Sequence, residues 1–151
     1  MTENKVRFAA ENILPIEADV ASLGERSAKN VLADVPCSAL GTLPKNPEVR
    51  WTKTVDDITR LARSQRIWLN VASTHVAEGG VLVYSTCTVP HQENEDIVRS
   101  FLESNPGFEL ESAAQFVPAR YVNAGGFLAT NPPVDGLDGV FGARLRRRPS
   151  A

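Results

Sequence analysis

The sequence predicts an α/β fold on a largely parallel sheet, with an antiparallel hairpin closing one edge. Three observations carry this. Short apolar runs at residues 30–35 (NVLADV) and 81–85 (VLVYS) have the character of buried parallel strands. A stretch between them and another after them carry apolar residues at helical spacing. Beyond Asn105-Pro106-Gly107 the helical pattern stops, and short strands follow one another across loops, as antiparallel strands do.

In chain order, residues 12–18 hold Ile13, Leu14 and Ile16 ahead of Asp19 and read as a short strand after a helical stub. Residues 30–35 form the next strand, and Pro36 ends it because proline cannot donate to the ladder. Residues 56–77 read as a helix through Ile58, Leu61, Ala62, Gln65, Leu69, Ala72 and Val76. Thr54 or Asp56 can cap its start, and Gly79-Gly80 is expected to stop it. Residues 81–85 are the second clear strand. Residues 93–104 are amphipathic through Ile97, Val98, Phe101 and Leu102. Residues 108–111, 126–130 and 139–147 read as strands, punctuated by Asn131-Pro132-Pro133 and Asp135-Gly136.

Composition narrows the classes. A chain of 151 residues with 42% hydrophobic and 23% charged residues has the size and balance of one soluble globular domain. A net charge of -2 argues against a free-standing nucleic-acid binder, which would be clearly basic. Arginines do cluster, at Arg144, Arg146, Arg147 and Arg148 and at Arg60, Arg63 and Arg66, but such runs are ordinarily solvated faces. No apolar run is long enough to span a bilayer, and the opening MTENKVRF has no signal-like apolar core, so a cytoplasmic protein with no membrane partner is expected. Cys37 and Cys87 are then expected as free thiols. His75 and His91 stand at no ligand spacing to them, so no metal site is expected. The absence of Cys-x-x-Cys ranks a redox enzyme last.

Two segments carry the chemistry. Asp34-Val35-Pro36-Cys37-Ser38-Ala39-Leu40-Gly41 and Tyr84-Ser85-Thr86-Cys87-Thr88 each follow a buried strand. Ligands of open α/β sheets sit beyond the carboxyl ends of strands, so both thiols and the Asp34 carboxylate should border one crevice. That set suits covalent catalysis on a pyrimidine. A thiolate adding to carbon 6 makes carbon 5 nucleophilic, and a carboxylic acid near ring nitrogen 3 stabilises the charge pushed into the ring. Taken singly, either cysteine is more ordinarily a small buried hydrophobe, and aspartate at a strand end a turn former.

Together the two segments resemble the paired signatures of the RNA cytosine-5 methyltransferases of the Sun/RsmB (NOP/Sun) family. The intervening Pro47-Glu48-Val49-Arg50-Trp51, Asp57-Ile58, Leu61-Ala62, Gln65, Gly79-Gly80-Val81-Leu82-Val83 and Glu93-Asn94-Glu95 are similar to the family as well. So is Asp135-Gly136-Leu137-Asp138-Gly139-Val140-Phe141, which departs from the family's pattern at Leu137 and Val140. The resemblance covers residues 12–148 and implies a Rossmann-like, S-adenosylmethionine-dependent methyltransferase fold. It implies Cys87 as the nucleophile on carbon 6, Cys37 as the cysteine linked to product release, and Asp34 as the acid touching both base and cofactor. Asp19 would lie near the cofactor's adenine.

The family's glycine-rich cofactor loop and the carboxylate holding the cofactor ribose have no counterpart here. The resemblance therefore implies a fold truncated in its amino-terminal half, with the first two strands missing. Residues 1–29 would be a loosely packed remnant of the third-strand region, and residues 30–151 the carboxy-terminal half of the catalytic domain. The expected function is that of a fragment of an rRNA cytosine-C5 methyltransferase, inactive alone, with an incomplete S-adenosylmethionine site. Small-subunit rRNA is the expected substrate of the intact enzyme, and a homodimer through the exposed sheet edge is an expected assembly. The alternative is a non-catalytic RNA- or protein-binding module derived from the enzyme.

Overall fold

A computed structural model describes residues 14, 16–19, 22, 24 and 26–150. The strand expected at residues 12–18 lies partly outside these, as does much of the expected 1–29 unit. Of that strand, Leu14, Ile16, Glu17 and Ala18 are described, and none is in a strand.

Five strands form one sheet: β1 Ala28–Asp34, β2 Val76–Thr86, β3 Phe108–Glu111, β4 Leu128–Ala129 and β5 Phe141–Arg147. The order is β1-β2-β5-β3, with β4 also on β5. β1 and β2 run parallel, while β5 is antiparallel to β2, β3 and β4. The antiparallel edge expected after residue 107 is thus present, although β4 is shorter than expected. Among the described residues β1 has no strand on its outer side.

The helices are α1 Val49–Thr52, α2 Val55–Thr74, α3 Glu95–Ser104 and α4 Pro132–Asp135. α2 links the two parallel strands, and its entry is fixed by a capping box. The Thr54 hydroxyl accepts from the Asp57 amide, and the Asp57 carboxylate accepts from the Thr54 amide.

Paired residues show which face each strand buries. Val31, Leu82 and Leu145 stand in one row, and Ala33, Tyr84 and Ala143 in the next. These rows meet Leu69, Ala72, Ile97, Val98 and Phe101 of α2 and α3 in the core. Burying such large apolar side chains contributes roughly 1.5–3 kcal/mol each. The opposite face carries Leu32, Val83 and Arg144 in a row, and Leu32 remains 68% exposed.

The sheet is not largely parallel as expected: among the described residues only β1–β2 is parallel, while β5 pairs antiparallel with β2, β3 and β4. Two local expectations are corrected as well. The 56–77 helix stops at Thr74, and Gly79-Gly80 lie inside β2 rather than at a helix end. Gly79 has φ +68, and a Cβ on Gly80 would stand 2.6 Å from the Ala77 carbonyl oxygen. The β1–β2 register jumps here, from Ala28↔Val76 to Asn30↔Val81. The glycines therefore mark a strand irregularity, the other standard use of glycine in an extended run. The second correction is at residue 93. α3 begins at Glu95, and His91–Glu93 form a separate 3-10 turn with Glu93 fully buried.

The tail arginines are largely committed to the fold. Arg144 and Arg146 each donate to the Glu111 carboxylate, at 2.7 and 2.6 Å, and Arg148 reaches Glu109 at 3.0 Å. Arg146 above all, then Arg144, holds the Glu111 carboxyl below its ordinary range. Arg144 also stacks 4.4 Å over the Phe116 ring.

Candidate active site

The parallel pairing of β1 and β2 builds the site. Asp34 sits opposite Ser85, so Cys37 and Cys87 emerge three and two residues beyond one register pair. Their sulfurs lie 3.3 Å apart, both half-buried. Two thiols predicted from separate motifs are thus in direct contact. Burial is the first cause that pushes the Cys37 thiol up to about 12, with Cys87 adding to it and the Ala39 amide opposing it. Cys37 therefore keeps its proton at neutral pH and can hydrogen-bond through it to the Cys87 sulfur.

Asp34 is exposed at the strand end, and its carboxylate accepts from the Ser85 hydroxyl at 2.6 Å. Asp34 and Asp19 line one cleft of ≈ 570 Å³ together with Val31, Ala33, Val35 and Trp68. The structure thus brings the two residues singled out for cofactor binding to the same cleft, on the open side of β1. A second cleft of ≈ 530 Å³ lies next to Cys87, walled by Thr88, Val89, Leu40 and Phe141 with Asn94 and Glu95.

The loop after Cys37 is tightly fixed. Gly41 donates to the Cys87 carbonyl at 3.1 Å, and Gly139 donates to the Gly41 carbonyl at 2.8 Å. Ala39 holds φ +60, in the left-handed region. That conformation costs a residue with a Cβ about 1–2 kcal/mol, while glycine's greater freedom when unfolded offsets about 0.4–1 kcal/mol. Ala39→Gly is therefore expected to stabilise the chain by up to about 1 kcal/mol, a rise of about 2–4 °C in Tm. A fall in Tm on thermal melting would contradict this.

Sequence reading missed the polar layer beneath the cysteines. The buried Glu93 carboxylate accepts from the Ser38 amide and hydroxyl at 2.9 and 2.5 Å and from Gln65 at 2.9 Å. The Ser38 hydroxyl also meets the Thr88 hydroxyl at 2.6 Å. Asn94 donates to the Thr88 carbonyl at 3.0 Å and accepts from the Thr86 hydroxyl at 2.6 Å. Burial, then the nearby Glu93 charge, raises the Tyr84 phenol above its ordinary range. The sequence signals were Gln65 and Glu93-Asn94, through their resemblance to the family and, for Glu93, its place at the head of an amphipathic run, with nothing to show that they meet.

Residues 1–146 match the family model described as 16S rRNA methyltransferase RsmB/F. The chain belongs to this family. It is 42% identical over 120 residues to Ribosomal RNA small subunit methyltransferase B of Thermus thermophilus, covering 80% of this chain and 29% of that protein. It is 34% identical over 143 residues to tRNA (cytosine(72)-C(5))-methyltransferase of Pyrococcus horikoshii, covering 85% of this chain and 36% of that one. Among solved structures, NSun6 from Pyrococcus horikoshii with SFG superposes with TM-score 0.84 at 31% identity, over 99% of this chain and 38% of the other. The fold is accordingly that of the RsmB/F methyltransferases. The chain spans less than two fifths of each of these relatives.

Proposed function

We propose that this chain is the base-attacking part of an S-adenosylmethionine-dependent RNA cytosine-5 methyltransferase acting on small-subunit rRNA. The observation that carries the reading is the 3.3 Å contact between the Cys37 and Cys87 sulfurs at the ends of two parallel strands. An ordinary core cysteine has no need of a second thiol and a carboxylate at a cleft mouth.

Cys87 adds through its sulfur to carbon 6 of the cytosine, and the ring electrons shift to carbon 5. Asp34, three residues before Cys37, would act as the carboxylic acid that donates to ring nitrogen 3 and so steadies the negative charge that builds in the ring. Once carbon 5 carries the methyl group that the cofactor would supply, its original proton passes to water, the 5,6 double bond re-forms and Cys87 leaves as a thiolate. Cys37, still protonated, donates to that departing sulfur and so favours release. The cleft walled by Leu40, Thr88, Val89 and Phe141 offers the apolar surface that a flipped base needs.

For the cofactor, the donor set fits in part. The Asp34 carboxylate suits an ammonium, the Asp19 carboxylate an exocyclic amine or hydroxyl, and the apolar strip from Val31 to Val35 a flat ring. These residues form one wall, because among the described residues β1 has no neighbour on its outer side. S-adenosylmethionine, when bound, supplies the methyl group. With one wall alone the isolated chain is expected to bind it weakly, with Kd above about 1 mM. Calorimetric titration checks this, and micromolar binding would overturn the incomplete-site reading.

The binding-module alternative loses its support from the tail arginines, since Arg144, Arg146 and Arg148 are tied to Glu111 and Glu109.

A further inference from the structure

Glu93 is a buried carboxylate that the proposed reaction does not use. Among the described residues it forms no ion pair, and the groups that donate to it are all neutral. What it accepts from is specific. Ser38 follows Cys37 directly in the chain and gives Glu93 both its amide and its hydroxyl. With the Ser38 proton committed to Glu93, the Thr88 hydroxyl must donate to Ser38, and Thr88 follows Cys87. Gln65 of α2 bonds both Glu93 and the Pro36 carbonyl, the residue before Cys37, at 2.9 and 3.0 Å. The Tyr84 hydroxyl holds the Glu93 backbone carbonyl at 2.7 Å.

The cost of this layer is visible. Gln65 is fully buried, and its amide oxygen has no hydrogen-bond partner, a loss a folded core ordinarily avoids. A fully buried carboxylate is likewise disfavoured unless its bonds are made. The arrangement is therefore held for what it orients: the residues that flank each cysteine.

We propose that Glu93 is a positioning residue that clamps the Cys37 and Cys87 loops together through Ser38 and Thr88, and so sets the separation of the two sulfurs. The inference rests on reading those cysteines as the working pair, but its content is geometric. Glu93 acts through Ser38 and need not meet RNA or cofactor.

Thiol chemistry on the chain itself tests this. With oxidised glutathione, the two cysteines close to a disulfide; their protons and electrons pass to the reagent, which leaves as two reduced glutathiones. The closure rate is divided by the rate of alkylation with iodoacetamide, so that a general change in exposure cancels. Three variants separate positioning from space-filling. Glu93→Met keeps the volume and removes the acceptors. Ser38→Ala cuts the link to Thr88 and leaves the backbone bond to Glu93. Glu93→Gln can accept from the Ser38 and Gln65 N–H groups, and its own amide can donate to a reversed Ser38 hydroxyl.

The expected result is a fall of about tenfold or more in the ratio for Glu93→Met and Ser38→Ala, with Glu93→Gln within about threefold of the parent. Equal ratios in Ser38→Ala and the parent would overturn the proposal, and so would a Glu93→Gln variant as slow as Glu93→Met. If Glu93→Met does not fold, Ser38→Ala decides the matter alone. The assay contains no RNA and no cofactor. A failed methylation assay would thus count against the function and leave the clamp standing, whereas unchanged closure would remove the clamp only.

Discussion

Cys87→Ala, in a methylation-competent protein containing this segment, is expected to lower turnover on the order of 10⁴-fold and to abolish covalent capture of RNA. Cys37→Ala is expected to do the opposite to capture. The addition step needs only the Cys87 sulfur, so the adduct still forms. On the proposed mechanism Cys87 departs as a thiolate, and the Cys37 thiol lies 3.3 Å from its sulfur. That thiol is held protonated, pushed up to about 12 chiefly by burial, so it is available as a donor throughout the neutral range. With alanine there, the leaving thiolate loses its partner in a half-buried setting, release slows, and adduct accumulates. Denaturing electrophoresis of protein with labelled RNA reads both variants at once. A Cys37→Ala protein that turns over normally and shows no retained RNA would sink the assigned roles.

The pairing behind that prediction was legible in the sequence because it needs little tertiary information. Two apolar runs of parallel-strand character, each ending in a cysteine motif, bring those motifs together wherever the strands are neighbours. The start of α2, for which Thr54 and Asp56 were the two candidate caps, and the end of α3 before Asn105 were legible for a similar reason, since both are fixed by chemistry within a few residues. What escaped depends on partners far along the chain. Val76 fits the helical period of α2, yet it pairs with Ala28 in the sheet, and that pairing outweighs a local pattern. Glu93 looks like a solvated residue until Ser38 and Gln65 converge on it from 55 and 28 positions away. The tail arginines look like a free basic patch until the β3–β5 register sets Glu111 opposite Arg144.

Gly41→Ala is expected to cost about 3 kcal/mol, the upper part of the range for overpacking, and to lower Tm by about 6–12 °C. Conformation is not the reason, since Gly41 is not among the residues with positive φ. Space is the reason. A Cβ there would stand 2.0 Å from the Gly139 carbonyl oxygen, 2.7 Å from the Gly139 carbonyl carbon and 2.8 Å from the Cys87 carbonyl oxygen. All three are backbone atoms, so no side chain can rotate out of the way. Relief requires the Cys37 loop to move off the Cys87 loop, breaking the Gly41–Cys87 and Gly139–Gly41 hydrogen bonds together. The damage therefore falls on the juxtaposition of the sulfurs as well as on stability, and disulfide closure between Cys37 and Cys87 should slow in the same variant. Gly107→Ala is the control, because a Cβ there meets nothing within 4 Å. If Gly41→Ala melts within about 2 °C of the parent while the control is also unchanged, less than about 1 kcal/mol is lost and the three-segment contact at Gly41 does not hold the site.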